Sequence, residues 1–261
     1  MEITVFLVCL VACIIGAISG IGGGIIIKPV IDTLGIMDIS TLNFLSGCTV
    51  LSMSSVSLYK NKNQDVKLNN IPIYLGIGAS VGGLIGKQIF DLTTNNFDDN
   101  IIELIQSIIL FIINIFILVY IVIKDKIKSK HIKSKIITLA LGCLLGIISS
   151  FLGIGGGPLN IAVIYYFYSL SSKQTTLSSL IVIFFSQLSS LIYSLLTHIP
   201  NFKYNTLIIM CLGGIFGALI GSKIAKKMDN KKTQKFFINV LIILLLLNVF
   251  NILKSYGVIN I

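Results

Sequence analysis

Gly20-Ile21-Gly22-Gly23-Gly24 and, 133 positions later, Gly153-Ile154-Gly155-Gly156-Gly157 are the two stretches whose reading decides the fold. Each sits inside a long apolar run, 3–36 and 136–170. Three consecutive glycines break a helix there, because glycine loses the most backbone entropy in a helix and readily takes positive φ. In a bilayer the freed N–H and C=O groups cannot be abandoned to lipid. Irregular backbone is tolerated only where it is buried in protein or lines a wet cavity. The helix that restarts after each break offers unpaired N–H groups and the positive end of its dipole, which together favour an anion.

The match continues outward from the glycines. After each copy come an apolar helix, a Ser/Thr-rich helix, a polar loop and a Gly-rich helix. The Gly-rich stretches read GGLIGKQI from Gly82 and GALIGSKI from Gly217, offset by 135. A near-constant offset with conserved order predicts an internal duplication: a first transmembrane repeat over 1–123, a basic linker over 124–135 and a second repeat over 136–261. The four apolar elements of the first half are 3–36, 41–59, 71–90 and 101–123; those of the second are 136–170, 174–197, 205–225 and 236–253. Continuous apolar runs exclude a β-barrel, which needs short alternating segments.

Composition agrees. Of 261 residues, 55% are hydrophobic and 11% charged, with a mean hydropathy of +0.96. A soluble domain carries roughly 25% charged residues, so a soluble enzyme is excluded and an all-α polytopic membrane protein expected. Every one of the 20 basic residues is lysine, against 10 acids. The net charge of +10 would suit nucleic acid in a soluble chain. Here the lysines crowd into short loops, so a lipid bilayer and not a nucleic acid is the expected partner. The N-terminal run lacks the basic start of a signal peptide and leads into the first glycine motif, so it is read as part of the mature fold.

Loop charge also constrains topology. Segments 60–67, 124–135 and 223–235 together hold 15 of the 20 lysines, whereas 91–103 holds Asp91, Asp98, Asp99 and Glu103 and no lysine. Eight plain crossings would put 223–235 opposite the other two basic loops, against the bias of cytoplasmic loops toward lysine. The conflict disappears if each glycine-broken element enters and returns on one side. Each half then crosses an odd number of times, which predicts an inverted repeat.

No cofactor or metal site is legible. Cys9, Cys13, Cys48, Cys143 and Cys211 lie within apolar stretches at no metal-ligand spacing. His131 and His198 fall in or beside loops, and neither Cys48 nor Cys143 has a histidine nearby in sequence. An enzyme is therefore not expected. No phosphate-binding loop suggests ATP hydrolysis.

The substrate-binding residues expected from the breaks are Gly20, Gly22, Gly23 and Gly24 in the first copy and Gly155, Gly156 and Gly157 in the second. Pro29 and Pro158 are expected in structural roles, Pro158 being suited to a first helical turn. The spaced glycines at 76–86 and 213–221 read instead as packing faces. Lys28 lies one turn beyond Gly24, where it either attracts an oxyanion or snorkels to an interface. Lys87, beside Asp91, reads as a snorkelling or paired residue. Among the hydroxyls, which could donate to an oxyanion, Ser46, Thr49, Ser178 and Ser179 stand out as a group. Asn114 and Asn239 read as interhelical glue.

GIGGG followed by Pro29 in the first copy and Pro158 in the second resembles the repeated signature of the TauE/SafE sulfite-exporter family. The two four-element halves, the basic middle loop and the Gly-rich third element resemble it too, over the whole chain. The resemblance implies a multi-pass plasma-membrane secondary transporter for a small anion, of the sulfite or sulfoacetate type. Members typically carry a small polar stretch such as GTS in the second element. Ser46-Gly47-Cys48-Thr49 and Ser178-Ser179 stand nearest that pattern, and the first departs from it. The alternatives are an anion channel and a permease for a non-sulfur organic anion. A proton or sodium as coupling ion and a homo-oligomeric assembly stay open.

Overall fold

The computed structural model describes residues 2–62, 70–123 and 130–255. Half of the linker, 124–129, and most of the first basic loop, 63–69, lie outside the described residues. Each glycine-broken element resolves into a long helix and a short one. The first half runs α1 (Glu2–Ser19), α2 (Gly24–Leu34), α3 (Ile39–Asn61), α4 (Ile71–Thr94) and α5 (Asp99–Ile123). The second runs α6 (Lys135–Leu152), α7 (Gly157–Tyr168), α8 (Ser172–Leu196), α9 (Tyr204–Lys227) and α10 (Asn230–Ser255). Asp91 and Asp99, expected in a loop, are thus inside helices.

Local chemistry accounts for the starts. Asp38 caps α3 by accepting from the Thr41 N–H at 2.8 Å, and Ser171 with Gln174 forms a reciprocal capping box on α8. Among the described residues, eight helices are long and apolar enough to cross a bilayer. The exceptions are α2, with 11 residues, and α7, with 12. At 1.5 Å per residue they extend only about 16–18 Å, half a membrane. Ile3, Phe116, Val122, Ile136 and Leu196 are exposed on the outer surface, as lipid-facing side chains should be.

At each break the chain doubles back. Glu2 and Val5, at the start of α1, line the same cleft as Ile36, Met37 and Asp38, just past α2. In the second half, the Lys130 and Ile132 N–H groups, ahead of α6, donate to the Tyr166 and Phe167 carbonyls near the end of α7, at 2.9 and 3.0 Å. The Tyr168 hydroxyl donates to Thr138 at 2.9 Å. The first hairpin therefore opens toward what we call the Asp38 end. The second opens toward the Lys173 end, where the Lys173 N–H meets Asn230 at 3.2 Å.

The halves are not separate bundles. α4 packs most extensively on α6, and α9 on α1, so each Gly-rich helix lies against the first helix of the other half. The spaced glycines make this possible. A Cβ on Gly78, Gly82 or Gly86 would collide with the carbonyl of Leu139, Cys143 or Ile147, and one on Gly142 or Gly146 with that of Leu75 or Ala79. Gly217 and Gly221 meet the Leu10 and Ile14 carbonyls in the same way, at 2.7 and 2.6 Å. The packing-face reading of these glycines holds. Two mixed bundles result, α1–α3–α9 and α4–α6–α8. They meet along α3 and α8, with the α5–α10 pair alongside.

Gly82→Leu should therefore separate two backbones in contact and cost at least the 1–3 kcal/mol typical of overpacking. Purified variant in detergent should lose several degrees of thermal stability, whereas Ile85→Leu, half-exposed on the same helix, should not.

Candidate functional site

The two breaks meet in the buried centre. Gly20 and Gly22 take φ of +78° and +82°, and Gly153 and Gly155 take +65° and +77°, a region that residues with a Cβ rarely enter. Gly23 and Gly24 serve differently, since Gly23 is already helical at φ −72°. Their lack of a side chain permits close approach: a Cβ would lie 2.6 Å from Cys13 Sγ at Gly23, and 2.9 Å from the Ile154 carbonyl oxygen at Gly24. Across the junction, Gly157 faces Ile25, and Val50 and Ile183 fill the space beside Gly155. Ile21, Ile25, Val50, Ile154 and Ile183 are all 3% exposed or less. The centre is thus plugged by aliphatic side chains. The Ile154 carbonyl rests against the start of α2, the position a helix dipole offers to negative charge.

Carbonyls at both breaks take donors from the opposite half. The Ser179 hydroxyl donates to the Gly20 carbonyl at 2.6 Å, and Thr176 to the Ser19 carbonyl at 3.4 Å. In the matching position, Ser46 donates to the Gly153 carbonyl at 3.5 Å. A hydroxyl has one proton to give, so neither serine can donate to an anion in this arrangement. Thr49 and Ser178 turn to their own helices instead, donating to Leu45 at 2.8 Å and Gln174 at 2.7 Å. The structure therefore brings Ser46 and Ser179 to the breaks, and leaves Thr49 and Ser178 apart from them.

Lys28 is 3% exposed, so it does not snorkel. Its Nζ donates to the Leu152 carbonyl at 3.1 Å and to Gln106 Oε1, while Gln106 Nε2 donates to the Phe151 carbonyl at 2.7 Å. With Gly153 N–H on Ser150 and Ile154 N–H on Ser149, all four terminal carbonyls of α6 have donors. A cation at a helix C-terminus also complements the dipole. Asp32 and Glu103 are near enough to act on the same charge. Lys28 thus closes the end of α6. Pro158 sits in the first turn of α7. Pro29 lies inside α2, with its carbonyl held by Thr33 at 2.8 Å and Asn251 at 3.2 Å.

Gln106 escaped the sequence reading although a buried amide in an apolar run was its signal. Asn160 escaped too: it is fully buried in α7, folded against Gly156, and neither side-chain polar atom has a partner. Asn114 is likewise buried and unpartnered, whereas Asn239 is exposed and is no glue within the bundle.

Two small cavities lie near the breaks. One, with about 10 Å³ of room for a water's centre, is lined by Asn43, Gly47, Lys87, Ser150, Gly153 and Gln187. The other, about 20 Å³ and more apolar, is lined by Asn61, Lys173, Thr176 and Thr233 together with Ala17, Ile18, Leu177 and Ala225 at the Lys173 end. The first touches the second break directly, and the second touches Thr176, which packs on Gly20. Each has room for about one water. The wider cleft at the Asp38 end, about 610 Å³, stops at Val5 and Leu45 and includes no residue of either break.

A polytopic helical fold with paired, half-length broken helices meeting at a buried centre is of the kind that membrane transport proteins use. The family model for the sulfite exporter TauE/SafE matches residues 5–248, and the chain belongs to that family. It is 24% identical over 268 residues to the probable membrane transporter protein YunE of Bacillus subtilis, covering 90% of this chain and 92% of the relative. It is 25% identical over 242 residues to the probable membrane transporter protein MJ0441 of Methanocaldococcus jannaschii, covering 87% and 88%. No solved structure matches the chain.

Removing the Ser179 hydroxyl leaves a buried carbonyl without its donor, at a cost of about 1–3 kcal/mol. Ser179→Ala should lower the thermal midpoint in detergent more than Ser46→Ala, whose bond is longer. Equal, negligible shifts would show that these hydroxyls do not hold the breaks.

Proposed function

We propose that the chain is a secondary transporter that moves a small anion, of the sulfur-oxyanion or sulfur-containing organic-acid type, across the cell membrane by alternating access. One observation carries the reading. The two broken helices abut at a buried centre; a small polar cavity reaches Gly153 of the second break, and another small cavity, at the Lys173 end, touches Thr176, which packs on Gly20 of the first. Opening one cavity to a break while the other stays packed is the geometry of alternating access. The family's name supplies the anion class, and the positive ends of α2 and α7 suit it physically. In the loaded state a substrate oxygen takes the place of the Ile154 carbonyl at the start of α2. The aliphatic plug favours a carrier over a channel, because a continuous pore would have to displace Ile21, Ile25, Val50 and Ile183 together.

The halves 1–123 and 136–261 are read here as inverted repeats around the linker 124–135. The doubling back of both broken elements supports this: it places the segments around Lys62, Lys130 and Lys231 at the Lys173 end, which is then cytoplasmic. The moving bodies are the mixed bundles α1–α3–α9 and α4–α6–α8, sliding along α3 and α8. A rocking of one sequence half against the other would tear apart α4–α6 and α1–α9, the closest contacts in the molecule.

Proteoliposomes of purified protein, screened with sulfite, thiosulfate, sulfate, sulfoacetate and acetate, test the function. Saturable uptake of a sulfur anion, lost in Gly23→Leu, is the expected result; no uptake of any anion by correctly inserted protein would overturn the reading. Topology has its own test. A cysteine at Lys203 should react with an impermeant thiol reagent applied to intact cells, and one at Lys231 only after the membrane is opened.

A further inference from the structure

We propose that Lys87 is the charged group of an anion-binding station on the Asp38 side of the second break, where substrate pauses between the central site and that face. The inference rests on the transport reading above and adds a site to it. Lys87 is 6% exposed within a membrane-spanning helix. A lysine there costs about 2.5–3.5 kcal/mol on insertion scales and ordinarily faces a cavity or a partner. Lys87 has both. It lines the small polar cavity with Asn43, Ser150, Gly153, Gln187 and Ser190, and its Nζ lies 2.8 Å from Asp91.

The ion pair does not explain the lysine. Lysine four residues ahead of an acid is the less favourable order on a helix. Asp91 is also the more exposed partner, at 29% against 7% for the Lys87 side chain, so a charge buried only to meet Asp91 gains little. An ammonium has three protons to donate. Asp91 takes one, and the Phe90 ring, 4.6 Å away, supplies a cation–π contact. The cavity that Lys87 lines is where a further acceptor would sit.

The surrounding groups suit an oxyanion. Ser150 is 2% exposed, and its hydroxyl has no hydrogen-bond partner. Gln187 reaches only the Ser149 hydroxyl, at the long distance of 3.5 Å. A buried hydroxyl without a partner and an amide weakly engaged are donors waiting for an acceptor. Lys28 also lies near Phe90, 5.8 Å from its centroid, but two of its three protons are engaged with Gln106 and Leu152. Of the two lysines embedded here, Lys87 is the one that lines this polar cavity. At about 10 Å³ the cavity is closed to anything larger than water, so an arriving anion must widen it and take Lys87 from Asp91. Position 222, which matches Lys87 at the 135-residue offset of the Gly-rich helices, is serine. The charged station therefore belongs to one side of the transporter only.

The test is the concentration dependence of uptake in proteoliposomes for wild type, Lys87→Gln, Lys87→Arg and Asp91→Asn, using the sulfur anion that wild type carries. Lys87→Gln should raise KM about tenfold or more, the loss of one charge-assisted hydrogen bond, and Lys87→Arg should recover most of it. Asp91→Asn should lower KM, because it removes the competitor for the ammonium. That opposite sign separates a binding role from a structural ion pair, for which both neutral variants would lose activity together. Unchanged KM in Lys87→Gln and Asp91→Asn, with wild type active, overturns the station and leaves the transport reading standing. Wild type that carries none of the anions overturns both. Should Lys87→Gln fail to fold, the KM of Asp91→Asn decides: a fall supports the station, and no change or a rise overturns it.

Discussion

Every broken helix in a membrane interior must find donors for the carbonyls it has freed, and the rest of this molecule is arranged around that need. An unsatisfied peptide group in an apolar interior costs several kcal/mol, and each break creates several. The solution is reciprocal. Side chains of α3 and α8 reach across to the break of the opposite half, Ser46 to Gly153 and Ser179 to Gly20. Lys28 and Gln106 finish the end of α6. Each break thus draws donors from beyond the linker, which ties 1–123 to 136–261.

Backbone contact follows from the same arrangement. For α3 and α8 to reach across, the halves must interlock, and the Gly-rich helices allow it by letting α4 touch α6, and α9 touch α1, at carbonyl distance. Without a hydrophobic force between helices in lipid, such close packing is a principal source of association. The packed units that result are bundles mixed from both halves. Their common boundary, α3 against α8, carries Ser46, Val50, Thr176, Ser179 and Ile183, which touch the breaks.

Charge is divided between two roles that look alike in sequence. Lys28 and Lys87 are both lysines in apolar elements, each with a carboxylate four residues on, and both approach Phe90. One is consumed by a helix end. The other faces a polar cavity with an unpartnered serine opposite. The difference is where the neighbouring helices end, not anything in the local sequence.

Much of the architecture was legible because it is written in periodic or repeated features. The GIGGG copies, their constant offset, the apolar runs and the lysine-rich loops determined the number of elements, the positions of the breaks and the membrane as solvent. They did so because lipid penalises every exposed peptide and every charge, whatever the fold. The packing faces at 76–86 and 213–221 were legible for a similar reason, since only glycine at such spacing lets two helices touch. What the sequence by itself could not determine is which hydroxyl or lysine serves which break. Ser46 and Thr49 look equivalent along the chain, yet one crosses to Gly153 and the other bonds its own helix. Gln106 and Asn160 were passed over, because a lone amide carries no periodic signal. Those roles were decided by tertiary structure alone: a hydrogen bond between residues 107 or 159 positions apart depends on how α3 and α8 are rotated and pressed against the opposite hairpin, and only the packed bundle sets that rotation.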